Sequence, residues 1–207
     1  MFEIKNILKS YFIKWFKKDE IKKDPIVPNP ISSPKVDVKP DWQMKLSVKK
    51  GNIGEQIVQG YLEKRGHVVY KCITKGAHAF DLMAIKDKKI IRIAEVKSKA
   101  RMKNKETGIN LSNYKEYIAI LEKYNLDTFI FFVDDIEERI YGNYISAIKN
   151  PVSIDNVKYP YTKRLKKDGV QVTFFHTAVM KQIVKLSKEE VEELKKHTTR
   201  NSNYDYK

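Results

Sequence analysis

Two apolar runs, residues 80–85 and 90–97, flank a polar turn at residues 86–89, and acids and a lysine stand where the runs begin and end. Both runs are rich in β-formers, and the short turn between them predicts an antiparallel hairpin. Asp81 lies at the start of the first run, while Glu95 and Lys97 close the second. Residues i and i+2 of a strand share a face, so Glu95 and Lys97 point the same way, about 7 Å apart along the backbone. If pairing starts at the turn, Asp81 comes alongside Glu95. Any fold for this chain must therefore hold two acids and an amine at one end of a ribbon.

The surrounding pattern predicts the rest of a sheet. Residues 54–65 carry Ile57, Val58, Tyr61 and Leu62 at helical spacing, with Gly66 as the stop and Glu55 in the first turn. Residues 67–73 read as a strand. Ser112 is a candidate cap for a helix with Tyr114, Tyr117, Ile118 and Leu121, and residues 128–133 form a further apolar strand. Helix, three strands, helix and strand make an α/β sheet covered by helices, expected over residues 47–150. Beyond residue 134, residues 140–148 read as a strand at the end of this core, and residues 151–207 read as a C-terminal extension with a strand near 169–177. Its final helix starts at Ser187, where Glu190 completes a capping box.

Converging carboxylates repel and lose hydration unless positive charge sits among them. Mg²⁺ is the natural occupant because it takes hard oxygen ligands and keeps several waters, and Mn²⁺ is its expected substitute. Such an ion lowers the pKa of a bound water and stabilises charge developing on a phosphate. Lys97 is placed to steer that water or to stabilise the transition state. Glu55 shares a helix edge with Val58 and Leu62, which brings it toward the same place. The plain alternative is a surface ion pair between Glu95 and Lys97, worth little.

Phe80-Asp81, thirteen residues, then Glu95-Val96-Lys97 resembles the signature of the PD-(D/E)XK, or restriction-endonuclease-like, nuclease superfamily. Lys50-Gly51-Asn52-Ile53-Gly54-Glu55, followed by Leu62 and Arg65-Gly66-His67, is similar to the opening of archaeal Holliday-junction resolvases. The resemblance covers residues 49–133. It implies a metal-dependent DNA endonuclease in which Asp81, Glu95 and the Val96 carbonyl bind the metal, Glu55 adds an acid, and Lys97 is the catalytic lysine. Phe80 replaces the proline of many members, and residues 74–78 lack a clear counterpart of the resolvase serine. Asn113 and Tyr117 stand where exonuclease relatives carry Gln-x-x-x-Tyr.

Forty-one Lys and Arg against 26 Asp and Glu leave a formal charge of +15. That excess favours a polyanion, because each neutralised phosphate releases counterions. Lys49, Lys50, Lys71, Lys75, Lys99, Arg101 and Lys103 are the candidate DNA contacts around the site, with His78 as a candidate phosphate contact. No recognition helix or zinc finger is visible, so readout by DNA shape or branching is expected. Symmetric cutting of a four-way junction would require a homodimer.

Cys72 is the one cysteine, which excludes an intramolecular disulfide framework and favours a buried thiol in a reducing interior. Residues 1–18 carry Phe2, Ile4, Ile7, Leu8, Tyr11, Phe12, Trp15 and Phe16 at near-helical spacing, with lysines between them. This predicts an amphipathic helix that docks on a partner or, second in order, on a membrane surface. Residues 19–46, with five prolines, predict an extended linker. No run is long and apolar enough to span a bilayer, and the cytoplasm is the expected compartment. Two other functions fit the same sequence: a nuclease-fold module that binds nucleic acid without cutting, and an assembly protein anchored through residues 2–18.

Overall fold

A computed structural model of the chain describes residues 45–71, 80–87, 90–99, 104–165 and 169–198, with backbone alone at 90–92. The expected helix at 1–18, nearly all of the linker, and Cys72, Lys75, His78, Arg101 and Lys103 lie outside the described residues.

The chain opens with α1 (Leu46–Glu63), followed by β1 (Val68–Lys71), β2 (Leu82–Lys86) and β3 (Ile90–Ser98). Then come β4 (Glu106–Asn110), α2 (Leu111–Tyr124), β5 (Thr128–Asp134), β6 (Arg139–Tyr144) and α3 (Ile145–Ile148). The last part holds β7 (Val152–Ile154), β8 (Val157–Tyr159), β9 (Tyr161–Arg164), β10 (Gln171–His176), β11 (Lys181–Lys185) and α4 (Lys188–Lys196).

β1, β2 and β3 form an antiparallel meander, with Leu82 opposite Ala94 and Lys86 opposite Ile90. The crossover through α2 returns the chain to β5, which runs parallel to β3. β6 and β11 add antiparallel strands, for a six-stranded order β1-β2-β3-β5-β6-β11. A smaller sheet, β4-β10-β9, lies apart from it, as does the hairpin of β7 and β8. The helix, three strands, helix, strand progression is the element order expected from the sequence. β4 is inserted before its second helix.

Alternation along the strands gives the sheet two apolar faces. One packs Leu82, Ala84, Ala94, Val96, Val133 and Ile140 against Val58 and Leu62 of α1 and Val191 and Leu194 of α4. The other packs Ile130, Phe132 and Tyr141 against Tyr117 of α2, Ile145 and Ile148 of α3, and Ile109 and Phe175 of the small sheet.

Several expectations need correction. α1 starts at Leu46, a little over two turns before residue 54. Its N-terminal half is polar in sequence but anchored by Lys50, which is 8% exposed and bound to Asp135 at 2.9 Å. Ser112 does not cap α2: its hydroxyl bonds Asn113, and Asn110 holds the cap position without a side-chain bond. Residues 140–148 are a strand only as far as Tyr144, after which Ile145–Ile148 turn into α3. β11 and α4, read as part of an extension, enter the main sheet and its core. Gly66 does end α1 in the left-handed region, φ +81°, and Ser187 and Glu190 do form the capping box of α4.

Candidate active site

The hairpin register brings the predicted acids together. Asp81 stands just before β2, where its N–H bonds the Ala94 carbonyl at 3.1 Å and extends the ladder by one step. At the next position on β3 the ladder bond is replaced: Val96 N–H donates to Asp81 Oδ2 at 2.7 Å. The N–H and C=O of one strand residue point to the same edge, so the Val96 carbonyl also lies on the Asp81 side. Glu95 and Lys97 flank Val96 on the α2 face, and the Lys97 ammonium sits on Glu95 Oε1. Asp81 is 8% exposed and Glu95 3%, whereas the Lys97 side chain retains 23% of its surface.

Tyr117 completes this group from α2. It is buried, and its phenol is held well above the ordinary tyrosine value, first by burial, then by the charge of Glu95 and a hydrogen bond to it. Asp81 acts in the same direction from farther off, and a hydrogen bond from Asn113 acts against them. The neutral phenol thus donates to Glu95 and fixes its carboxylate. The Asn113…Tyr117 spacing was the available signal, since residues i and i+4 share a helix face. Sequence reasoning placed Tyr117 on the apolar row of α2 and matched it, with Asn113, to the exonuclease motif, but did not include it among the site residues.

Other predicted residues fall elsewhere. Glu55 is engaged by Lys71 at 2.7 Å. Lys71 pairs with Leu82, so this ion pair borders the strand end that carries Asp81. α1 approaches β3 closely at this level, because a Cβ on Gly54 would stand 1.8 Å from Ser98 Oγ. Lys50 is withdrawn from any groove: beside Asp135, it donates to Thr198 Oγ1 at 2.9 Å. Lys49 is half-buried on α1. Lys99 is exposed as a residue, but its ammonium is part-buried where it donates to the Gly108 carbonyl at 3.3 Å. Its pKa is lowered first by burial and then by Lys97.

The donor set fits a hard divalent cation. Two buried carboxylates and a backbone carbonyl meet at one strand end, and the Lys97 ammonium marks where positive charge is accepted. Among the described residues no three His, Cys, Asp or Glu side chains group as metal ligands. Mg²⁺ is commonly held through one or two carboxylates, with waters and substrate phosphate filling its shell. Glu106, another buried acid, offers no comparable site. Its oxygens accept from Tyr159 at 2.6 Å and Tyr161 at 3.0 Å, and burial, with Glu106 next, pushes the Tyr161 phenol up to about 12.

The Tyr117 contact carries a stability prediction. Tyr117→Phe removes a hydrogen bond to a buried charge, worth roughly 1.5–3 kcal/mol. Urea denaturation should show a loss of that size with an unchanged m-value. A loss below about 0.5 kcal/mol would mean that the phenol does not hold Glu95.

The solved structures that resemble the chain at a distance include two nucleases. The Holliday junction resolvase Hjc of Archaeoglobus fulgidus, an archaeal hyperthermophile, is 11% identical with a TM-score of 0.44, over 65% of this chain and 92% of that one. D212, a nuclease from a fusselovirus, is 14% identical with a TM-score of 0.37, over 70% of this chain and 87% of that one. No protein-family model and no curated protein matches the sequence. At this distance the likeness decides nothing about chemistry, which has to come from the side chains. Among the described residues no helix is long and apolar enough to cross a membrane.

Proposed function

We propose that the chain is a metal-dependent DNA endonuclease acting on branched or otherwise structured DNA. The observation that carries this reading is the meeting of buried Asp81 and Glu95 around Val96, with Lys97 on the same face. Burying two acids side by side is costly for a core that needs only packing, and a site for a cation and a phosphate accounts for it.

In this reading Asp81, Glu95 and the Val96 carbonyl hold Mg²⁺ or Mn²⁺. The bound ion supplies a water of lowered pKa and charge stabilisation at the phosphorus. Tyr117 keeps the Glu95 carboxylate in one rotamer. Lys97 has the reach and partial exposure to leave Glu95 for an incoming phosphate oxygen or the attacking water. Glu55 orients Lys71 at the rim, where Lys71, Lys49 and Lys99 position the DNA backbone. Lys75, Arg101 and Lys103, outside the described residues, are proposed as further DNA contacts on the sequence alone. Lys50 is not part of this set, being committed to Asp135.

The test is a cleavage panel on single-stranded, duplex and four-way DNA at matched salt. Wild type should cut with Mg²⁺ or Mn²⁺ and stop when EDTA is added. Protein inert on all three substrates with either ion would sink the reading. A preference for the four-way substrate should come with a dimer in sedimentation, since symmetric resolution needs two sites.

A further inference from the structure

Among the described residues, the core on the face of the sheet that carries Glu95 and Lys97 spans only part of its width. The core on that face holds described residues from β4, α2, β5, β6, α3 and β10, and none from β1 or β2. Cross-strand partners share a face, so the pairings Tyr70–Met83 and Met83–Ile93 put Tyr70 on the row that continues into Glu95 and Lys97. Val68 follows in the same way through Ile85. Val68 and Tyr70 are the two most exposed large apolar side chains among the described residues, at 59% and 52%. Two strand spacings across and two residues along separate Tyr70 from Glu95 by about 12 Å between Cα atoms. That span equals three to four base steps of about 3.4 Å.

We infer that Tyr70, backed by Val68 and Met83, is a stacking platform for an unpaired nucleobase of the DNA bound at the Asp81–Glu95 site. The inference rests on the proposed nuclease reading of that site and names its substrate class: DNA with unstacked bases within a few nucleotides of the bond to be cut. The ring shares one face with the site through Met83, whereas Lys71 and Lys86 alternate to the opposite face, so the platform offers stacking rather than charge. An aromatic ring accepts any base, because every base has a π-face, and duplex DNA presents none of these faces except at its ends. A second copy adding to the β1 edge is the competing occupant. It is disfavoured by a strand of four residues ending in lysine, a common way of blocking edge pairing.

The experiment measures binding in EDTA, so that the DNA stays intact. A duplex with a three-nucleotide unpaired stretch containing 2-aminopurine is compared with the fully paired duplex, using wild type, Tyr70→Ala and Tyr70→Phe. Wild type should prefer the unpaired substrate and quench its fluorescence. Tyr70→Ala should bind that substrate roughly 5- to 150-fold more weakly, with the quench lost, and Tyr70→Phe should retain both. Equal affinity of wild type for the two substrates, or an undiminished preference in Tyr70→Ala, overturns the inference. So does a concentration-dependent dimer that Tyr70→Ala abolishes, which would assign the face to a second copy. Because binding is read without metal, a preference that persists in a protein unable to cut would separate failure of the nuclease reading from failure of this one.

Discussion

Glu95→Gln is expected to lower cleavage by at least ~10²-fold while leaving the protein folded, with a denaturation midpoint close to that of wild type. The substitution keeps the shape of a side chain that is 3% exposed, so no cavity opens. The amide oxygen still accepts from Tyr117. Lys97 loses its partner, but its ammonium is partly exposed and can turn to water. Asp81 loses a like-charged neighbour, which offsets part of that loss. The affinity for a dication should suffer most, since half of the carboxylate charge at Val96 is gone. Thermal unfolding with added Mg²⁺ reads this directly: a ligand at 100 times its Kd stabilises by about 2.7 kcal/mol. Wild type should show an Mg²⁺-dependent rise in Tm and Glu95→Gln almost none. Equal cleavage, or an equal rise in Tm, would remove Glu95 from the site.

The parts of this site that were legible in the sequence are those decided by local geometry. A two-residue periodicity and a short turn are enough to register β2 on β3, and that register places Asp81 beside Val96. What escaped depends on partners far along the chain. Lys50 looked like a groove cation because Asp135 and Thr198, which bury it, are distant in sequence. β4, with Thr107 and Gly108 at its centre, has little strand character of its own and exists by pairing with β10. β11 has lysines at both ends and only Ile183 and Val184 to signal a strand, yet it closes the sheet against β6. Residues 145–148 were read as strand, but they turn into α3, where Ile145 and Ile148 are buried in the core that includes Tyr117 of α2; tertiary packing decided the local structure. Glu55 was placed correctly on α1, but its charge is answered by Lys71, a pairing no spacing rule gives.

Ending the chain at Met180 is therefore expected to abolish cooperative folding rather than trim an appendage. The deletion removes β11, which leaves β6 as an unpaired edge, and it removes Leu186, Val191 and Leu194 from the core that α1 packs against. Each of those side chains is at most 9% exposed. Burial at about 1.5–3 kcal/mol apiece makes their combined loss roughly 5–9 kcal/mol. Domains of this kind have only ~5–15 kcal/mol of net stability, so the truncated chain has little or nothing left. A graded version separates packing from chain length. Leu194→Ala, at a fully buried position, should cost about 2–5 kcal/mol and still unfold in one transition. Circular dichroism during urea titration reads both variants. If the truncated chain unfolded cooperatively at the wild-type midpoint, the core would be self-sufficient without β11 and α4. The position of Glu95 would then owe nothing to them, because β5 and β6, which lie between β11 and β3, would hold β3 in place unaided.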